Sequence, residues 1–394
     1  MTPAARVQAA IELLDEVIAA AKGAGAAADT IIGNYFRTRR YAGSGDRRAV
    51  RELVYRAIRR SGERPPSGRA AMLGLAQEDE ALAALFDGSG HGPEAPRPDE
   101  PRTQASAVPQ WLADRFDPLI DEPEMAALLD RAPLDLRANR LKGSRGEAMA
   151  QFPGAEPTPL SPLGLRIPEQ SQIENSPAWR SGLVEIQDEG SQLLAFACGA
   201  APGSTVIDLC AGAGGKTLAL AAEMENRGRI VATDTDRGRL SRLPQRLGRT
   251  GVSIVETRLL NPGREAEALA DLAASADLVL VDAPCSGSGT WRRNPETRWR
   301  LTPGRLDRLT TLQAHLLDLA AGLVRPGGVL VYAVCSLLAE EGRGQAEAFA
   351  ARHSAFVPED LPIQGGRAAG RGRLLSPAHD RTDGFFVARW RAPC

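Results

Sequence analysis

A thiol and a carboxylate stand three residues apart in Asp282-Ala-Pro-Cys285, directly after the apolar run at residues 278–281. That run is short, β-branched and bounded by turn formers, as a strand buried on both faces of a parallel sheet should be. Pro284 cannot donate to a sheet ladder, so the strand ends there and delivers Asp282 and Cys285 to the carboxyl edge, where open α/β sheets bind ligands. A second cysteine, Cys335, follows the apolar run Gly328-Val-Leu-Val-Tyr-Ala-Val334 in the same way. A thiolate is a strong nucleophile and an adjacent carboxylate can stabilise developing charge, so the pair of strand ends could perform covalent catalysis. Taken alone, Cys285 is explained equally well as a small buried hydrophobe. Downstream, Gly287 and Gly289 precede Arg292, Arg293, Arg298 and Arg300, interleaved with Trp291 and Trp299. This reads as a mobile loop able to neutralise phosphates and stack bases, which points to chemistry on a nucleic acid.

Elements able to position such residues are legible from about residue 182 onward, where strand and helix patterns alternate. A strand and a helix in GLVEIQDEGSQLLAFAC come first, and five further strands follow in STVIDLC, RIVATDTD, VSIVETR, DLVLVDAP and GVLVYAVC. This alternation predicts a doubly wound, mostly parallel α/β sheet, with FFVARW as a final strand. Pro244 should shorten or kink the helix after the second of the five strands.

The first turn of that sheet, Asp208-Leu-Cys-Ala-Gly-Ala-Gly-Gly-Lys-Thr217, is rich in glycine. A phosphate-binding P-loop would need glycine where Cys210 stands, and a dinucleotide fingerprint starting at Gly212 would need glycine where Thr217 stands. What survives is a strand-ending acid, close backbone approach at Gly212, Gly214 and Gly215, and Asp234 at the end of the next strand, placed for ribose hydroxyls. That set suits S-adenosylmethionine, an adenosine ligand with no phosphate to cradle.

The formal net charge is only −1, so any nucleic-acid footprint must be local. Residues 31–70 hold eleven arginines against Asp46, Glu52 and Glu63, a local charge of +8. Arg37, Arg39, Arg40, Arg47 and Arg48 are the expected backbone contacts there, against the plainer reading of a solvated helix face. Helical spacing at residues 4–22 and 47–60 makes residues 1–87 a small helical domain. Residues 88–107, rich in Pro and Gly, read as a linker. Residues 108–180 read as a small α+β module, with helices near 109–116 and 122–131 and an extended run at 134–141. Its Arg137, Asn139, Arg140 and Lys142 could hold a phosphate backbone or simply form a polar strand face. Residues 181–394 form the catalytic domain in this scheme. Five cysteines without CxxC spacing and four scattered histidines argue against disulfides and metal. No apolar run is long enough to span a membrane, so a cytoplasmic location is expected; a monomer is expected as well.

These motifs resemble the RNA cytosine-5 methyltransferases of the Sun/Fmu/NOP type, most closely the bacterial ribosomal members. The resemblance covers residues 108–394, and the helical amino-terminal part resembles their NusB-like RNA-binding domain. The family's cofactor loop, Asp-x-Cys-Ala-Ala-Pro-Gly-Gly-Lys-Thr, maps onto Asp208, Cys210, Ala211, Gly212, Ala213, Gly214, Gly215 and Lys216, with Gly212 and Ala213 replacing Ala and Pro. Its strand-two acid maps to Asp234, whereas its acid after strand three has no partner in Val255-Glu-Thr-Arg-Leu259. Asp282-Ala-Pro-Cys-Ser-Gly-x-Gly289 matches the fourth motif, and Tyr332-Ala-Val-Cys-Ser336 matches the Thr-Cys motif except for Val334. The resemblance implies Cys335 as nucleophile at carbon 6 of cytosine, Cys285 as the group assisting release and Asp282 at the ring edge. It also implies S-adenosylmethionine as methyl donor and ribosomal RNA as substrate. Trp291 and the nearby Arg292 and Arg293 are the candidates to hold an unstacked target base. Transfer RNA is the alternative substrate. A non-catalytic RNA-binding assembly factor on the same fold is the alternative class.

Overall fold

The computed structural model describes residues 1–23, 25–168 and 172–394. They form two compact units. One comprises Met1–Phe116, Met125–Asp130 and Thr290–Pro303, and the other Asp117–Glu124, Arg131–Gly289 and Gly304–Cys394.

The first unit is helical. Its main helices are α1 (Pro3–Ala21), α2 (Ala28–Thr38), α3 (Ser44–Arg60) and α4 (Gly68–Ala76). Thr2 caps α1 by accepting from the Ala5 amide at 3.2 Å, and Pro3 supplies a preset φ at the first turn. Val7, Ile11, Leu14 and Ile18, three or four residues apart, form one buried stripe and meet Val50, Val54 and Ile58 of α3 and Met72 of α4.

Trp299 lies in this same core, and its indole N–H donates to Ser61 O at 2.7 Å. Arg298, fully buried, donates to the carbonyls of Ile58, Arg59 and Ala107. Two of those are carbonyls in the last turn of α3, where helical pairing runs out; Ile58 O also accepts from the Ser61 amide at 3.1 Å, and Arg298 supplies the further donors. Trp291 is 0% exposed and meets the Phe116 ring edge-on at 5.9 Å. The structure therefore corrects the reading of residues 290–300 as a mobile loop stacking bases: its indoles are core residues and Arg298 is a structural cap. Arg292 is buried as well, so it does not offer the open phosphate contact expected of it. Residues 88–107 also differ from a free tether. They lack periodic structure, but Arg69 pairs with Glu100 and Arg60 donates to Thr103 O, fastening them to the helical unit.

The second unit contains two sheets. β1 (Leu134–Ala138), β2 (Glu156–Pro157), β3 (Gly164–Ile167) and β4 (Val184–Ile186) form an antiparallel sheet of order β2-β3-β1-β4. The strand read at residues 182–186 as the opening of the parallel sheet thus belongs to the smaller one, where Leu136 pairs with Ile186. The 180/181 boundary drawn from the sequence cuts through that sheet. The larger sheet uses β5 (Thr205–Asp208), β6 (Arg229–Asp234), β7 (Val255–Leu259), β8 (Ala276–Asp282), β9 (Val324–Val334), β10 (Val357–Pro358), β11 (Arg367–Ala369), β12 (Gly372–Leu375) and β13 (Phe385–Arg391). Its order is β11-β12-β13-β9-β8-β5-β6-β7, with β10 beside β13. Strands β5 to β9 pair in parallel and β13 joins β9 antiparallel. The expected FFVARW strand is β13, and Pro244 does divide the segment after β6 into two short helices, Arg237–Leu240 and Leu243–Thr250. The chain is a Rossmann-like α/β fold with an amino-terminal helical region.

Candidate active site at the carboxyl edge of the parallel sheet

From β5 the chain proceeds to β6 and β7 on one side and to β8 and β9 on the other. The crevice between β5 and β8 is therefore the switch point of the sheet, where such folds bind ligands. Asp208 ends β5, Asp234 ends β6 and Asp282 ends β8. Asp282 is in register with Ala333 of β9, so Cys285 and Cys335 leave neighbouring strands at one level.

The turn after β5 is shaped by two glycines in the left-handed region, Gly212 (φ 57°) and Gly214 (φ 85°). A Cβ on Gly214 would stand 2.2 Å from Leu243 Cδ1, so a side chain there would have to displace the buried Leu243 with which the second short helix packs on the turn. At Gly215, which opens the helix Gly215–Glu223, a Cβ would meet nothing within 4 Å. Asp234 anchors the turn: its Oδ2 accepts from the Gly212 amide at 2.7 Å and its Oδ1 from the Asp236 amide at 2.7 Å. Each oxygen keeps a lone pair for a further donor, such as a ribose hydroxyl. Arg246 holds the Ala213 carbonyl at 2.6 Å and Glu185 at 2.6 Å. Ala211 donates to Thr233 O, and burial pushes the Cys210 thiol well above its usual range, so Cys210 is a wall rather than a nucleophile.

Asp208 is fully buried; Oδ2 accepts from the Thr217 hydroxyl at 2.6 Å while Oδ1 has no partner. The open space at Gly215 leaves room for a ligand at the turn, while the orphaned Oδ1 of Asp208 lies buried beneath it at the end of β5. Burial, offset in part by that hydroxyl, pushes the Asp208 carboxyl up to about 7. The unfolded chain releases this proton near pH 4 and the folded chain only near 7, so stability should fall as pH rises across that window, by on the order of 4 kcal/mol. In urea unfolding of the ligand-free protein at pH 4.5 and 7.5, Asp208→Asn should therefore lose less stability than the parent. Equal losses would refute the assignment.

Across the crevice the Lys216 ammonium donates to Asp282 Oδ2 at 2.6 Å. Burial alone would drive Lys216 toward neutrality, but the Asp282 carboxylate outweighs it and holds the ammonium above its usual range. Cys285 Sγ lies 3.4 Å from Cys335 Sγ. The hydrogen bond to Cys335, burial and the charges of Cys335 and Glu341 push the Cys285 thiol well up, so it remains S–H. Both thiols are partly exposed. One rim thus carries a cation–carboxylate pair and two thiols, with one thiol held protonated.

The sequence reading missed what fixes that geometry. Glu341, 0% exposed, accepts from the Ser286 amide at 2.8 Å, Gln313 Nε2 at 2.9 Å and the Ser336 hydroxyl at 2.6 Å. Gln313 also donates to Pro284 O at 2.9 Å, and the Tyr332 hydroxyl to Glu341 O at 2.6 Å. One buried carboxylate therefore ties together the residues following both cysteines. No spacing rule distinguishes it from the adjacent Glu340.

The expected RNA contacts divide. Arg37, Arg40, Arg47 and Arg48 are exposed on the helical unit, Arg39 is half-buried against Tyr35, and Lys142 is exposed. Arg293 is half-buried. Arg137 and Asn139 correct the expectation: both are 2% exposed. Arg137 donates to Gln187 at 2.6 Å, and Asn139 to the carbonyls of Gly182 and Thr250. Arg137 lies on the β1 face opposite Leu136 and Ala138, Asn139 directly follows the strand, and both bind protein groups, leaving no surface for a phosphate backbone.

The family model described as "16S rRNA methyltransferase RsmB/F" matches residues 196–391. The probable ribosomal RNA small subunit methyltransferase B of Synechocystis sp. is 35% identical over 299 residues, 72% of this chain and 66% of the relative. The match therefore spans just under two thirds of that relative's length. A methyltransferase homolog protein from Pyrococcus horikoshii aligns with TM-score 0.63 and 29% identity over 72% of this chain and 95% of its own. The solved structure of PH0851 shares the fold with TM-score 0.77 at 24% identity, covering 99% of both chains. With the glycine turn, the three strand-end acids and the cysteine pair in place, these matches agree with the motifs, and the chain belongs to the Sun/Fmu/NOP family of methyltransferases.

Proposed function

We propose that this protein transfers a methyl group from S-adenosylmethionine to carbon 5 of a cytosine in RNA, with ribosomal RNA as substrate. The observation that carries this reading is the pair of thiols 3.4 Å apart beside the Lys216–Asp282 pair at the switch point of the sheet. S-adenosylmethionine supplies an electrophilic methyl group. Asp234 and the turn Gly212 to Gly215 would bind its adenosine moiety. Carbon 5 of cytosine is too weak a nucleophile to accept that group unaided, so Cys335 first adds as thiolate to carbon 6. Negative charge then develops toward N3, where the Lys216 ammonium, 2.6 Å from Asp282, supplies the offsetting positive charge while Asp282 accepts from the amino group at the ring edge. After methylation the proton at carbon 5 is lost to solvent and the S–C6 bond breaks, returning its electron pair to Cys335. The Cys285 S–H is placed to hydrogen-bond the departing thiolate. Nucleoside analysis of ribosomal RNA incubated with the protein and methyl donor should give 5-methylcytidine; methylation at any other base atom would overturn the reading.

Asp234→Ala should weaken S-adenosylmethionine binding by about 1.5–3 kcal/mol, the worth of hydrogen bonds to a carboxylate, with the fold retained. Calorimetry on the folded variant decides this, and unchanged affinity would remove Asp234 from the binding site. The exposed arginines 37, 40, 47 and 48, with Arg39, support a phosphate-binding role for the helical unit. Charge reversal at two of them should reduce the salt slope of RNA binding by about 2 while cofactor affinity stays constant. An unchanged slope would reduce this patch to a solvated face.

A further inference from the structure

The helical unit contains a groove of about 1050 Å³ that the phosphate contacts do not explain. Residues of α1, including Gln8 and Glu12, line it together with Tyr35, Arg39, Tyr41 and His91. Tyr41 is 72% exposed, the most exposed of the large hydrophobic side chains left at the surface. The remainder is ordered before any ligand arrives. The Tyr35 hydroxyl donates to Glu12 Oε2 at 2.7 Å, Gln8 Nε2 reaches Glu12 Oε1 at 3.4 Å, and the Arg39 guanidinium lies 3.6 Å from the centre of the Tyr35 ring. Arg39 is pinned further by Tyr35 O at 3.3 Å and by Glu12 at 3.7 Å. An exposed aromatic ring, a flat immobilised guanidinium and hydrogen-bonding groups of both kinds thus share one concavity.

We infer that this groove binds an unstacked base of a single-stranded RNA segment, with Tyr41 as the stacking surface. This rests on the RNA reading above and names the class of RNA the helical unit would take. Charge complementarity selects the occupant. Arg37, Arg40, Arg47 and Arg48 are exposed nearby in sequence, within the segment of local charge +8, which favours a polyanion over an apolar helix or an arginine-rich peptide. An aromatic face favours a splayed base, since duplex bases are already stacked and present no free ring to a side chain. Gln8 and Glu12 offer a donor and acceptors to a base edge, so the groove would position a loop or end of the RNA and not its helical stems.

The test uses the full chain and a fluorescein-labelled 12-nucleotide single-stranded RNA, with a duplex of the same length as control. Tyr41 is largely solvent-exposed, so its replacement should leave the fold intact. Tyr41→Ala should weaken single-strand binding about tenfold, as loss of one base–aromatic stack does, without changing the salt slope. Tyr41→Trp should restore it, and duplex affinity should stay constant in both variants. Unchanged single-strand affinity for Tyr41→Ala would overturn the inference while the arginine patch could still pass its own salt-slope test. Equal loss for duplex and single strand would make the groove a backbone contact and overturn it too. Unchanged affinity for naked RNA with weaker binding to purified small ribosomal subunits would assign the groove to a protein partner, again against the inference. Failure of the underlying reading is separate: the unsubstituted chain would form no 5-methylcytidine, whatever Tyr41 does.

Discussion

Cys335→Ala should lower the methyl-transfer rate by on the order of 10⁴-fold, because without addition at carbon 6 the ring cannot reach the methyl group as a nucleophile. Cys285→Ala should fail differently. The thiol that adds is still present, so a single turnover should transfer the methyl group at close to the parental rate. Release then lacks the S–H that lies 3.4 Å from the departing sulfur, and multiple turnovers should stall. Rapid-quench measurement of methyl groups transferred per enzyme separates the two, near zero for Cys335→Ala and near one for Cys285→Ala. Two merely structural thiols would instead lose stability together and leave the rate per folded molecule unchanged.

The second large effect is expected at Asp282. Asp282→Ala would leave the Lys216 ammonium in a largely buried site without its carboxylate, and breaking such a pair by removing one partner costs about 3–5 kcal/mol. Part of that should appear as lost stability and part as lost rate, since Asp282 also holds the ring edge. Adding Lys216→Met removes the stranded charge, so the double variant should regain stability in urea unfolding without regaining activity. If Asp282→Ala alone were as stable as the parent, the 2.6 Å contact would be incidental.

How far the sequence reached follows from the kind of information each feature requires. β5, β6, β8 and β9 were legible because strands buried on both faces are continuous apolar runs, and the turn at Gly212 to Gly215 because its backbone demands glycine. The residues at 184–186 look the same along the chain, yet they pair with β1, because strand partnership is a long-range choice that a local pattern does not encode. Arg137 and Arg298 illustrate a second limit. Arginine type and spacing are alike for a solvated phosphate contact and for a buried cap, and only the carbonyls that Arg298 meets decide between them. Lys216 and Asp282 could each be singled out, but their pairing across 66 residues depends on β5 and β8 lying side by side. Glu341 had no local signature at all, and its importance comes from three donors brought in by separate segments.

The central claim, that Cys335 forms a covalent bond to cytosine and Cys285 assists its release, is tested most directly by mapping the stalled complex. Cys285→Ala, incubated with RNA and S-adenosylmethionine, should run on denaturing gels as a protein–RNA adduct, and nuclease and protease digestion should yield the Cys335 peptide carrying a methylated cytidine. An adduct that formed instead in Cys335→Ala, with the nucleotide on Cys285, would contradict the account and reverse the two roles.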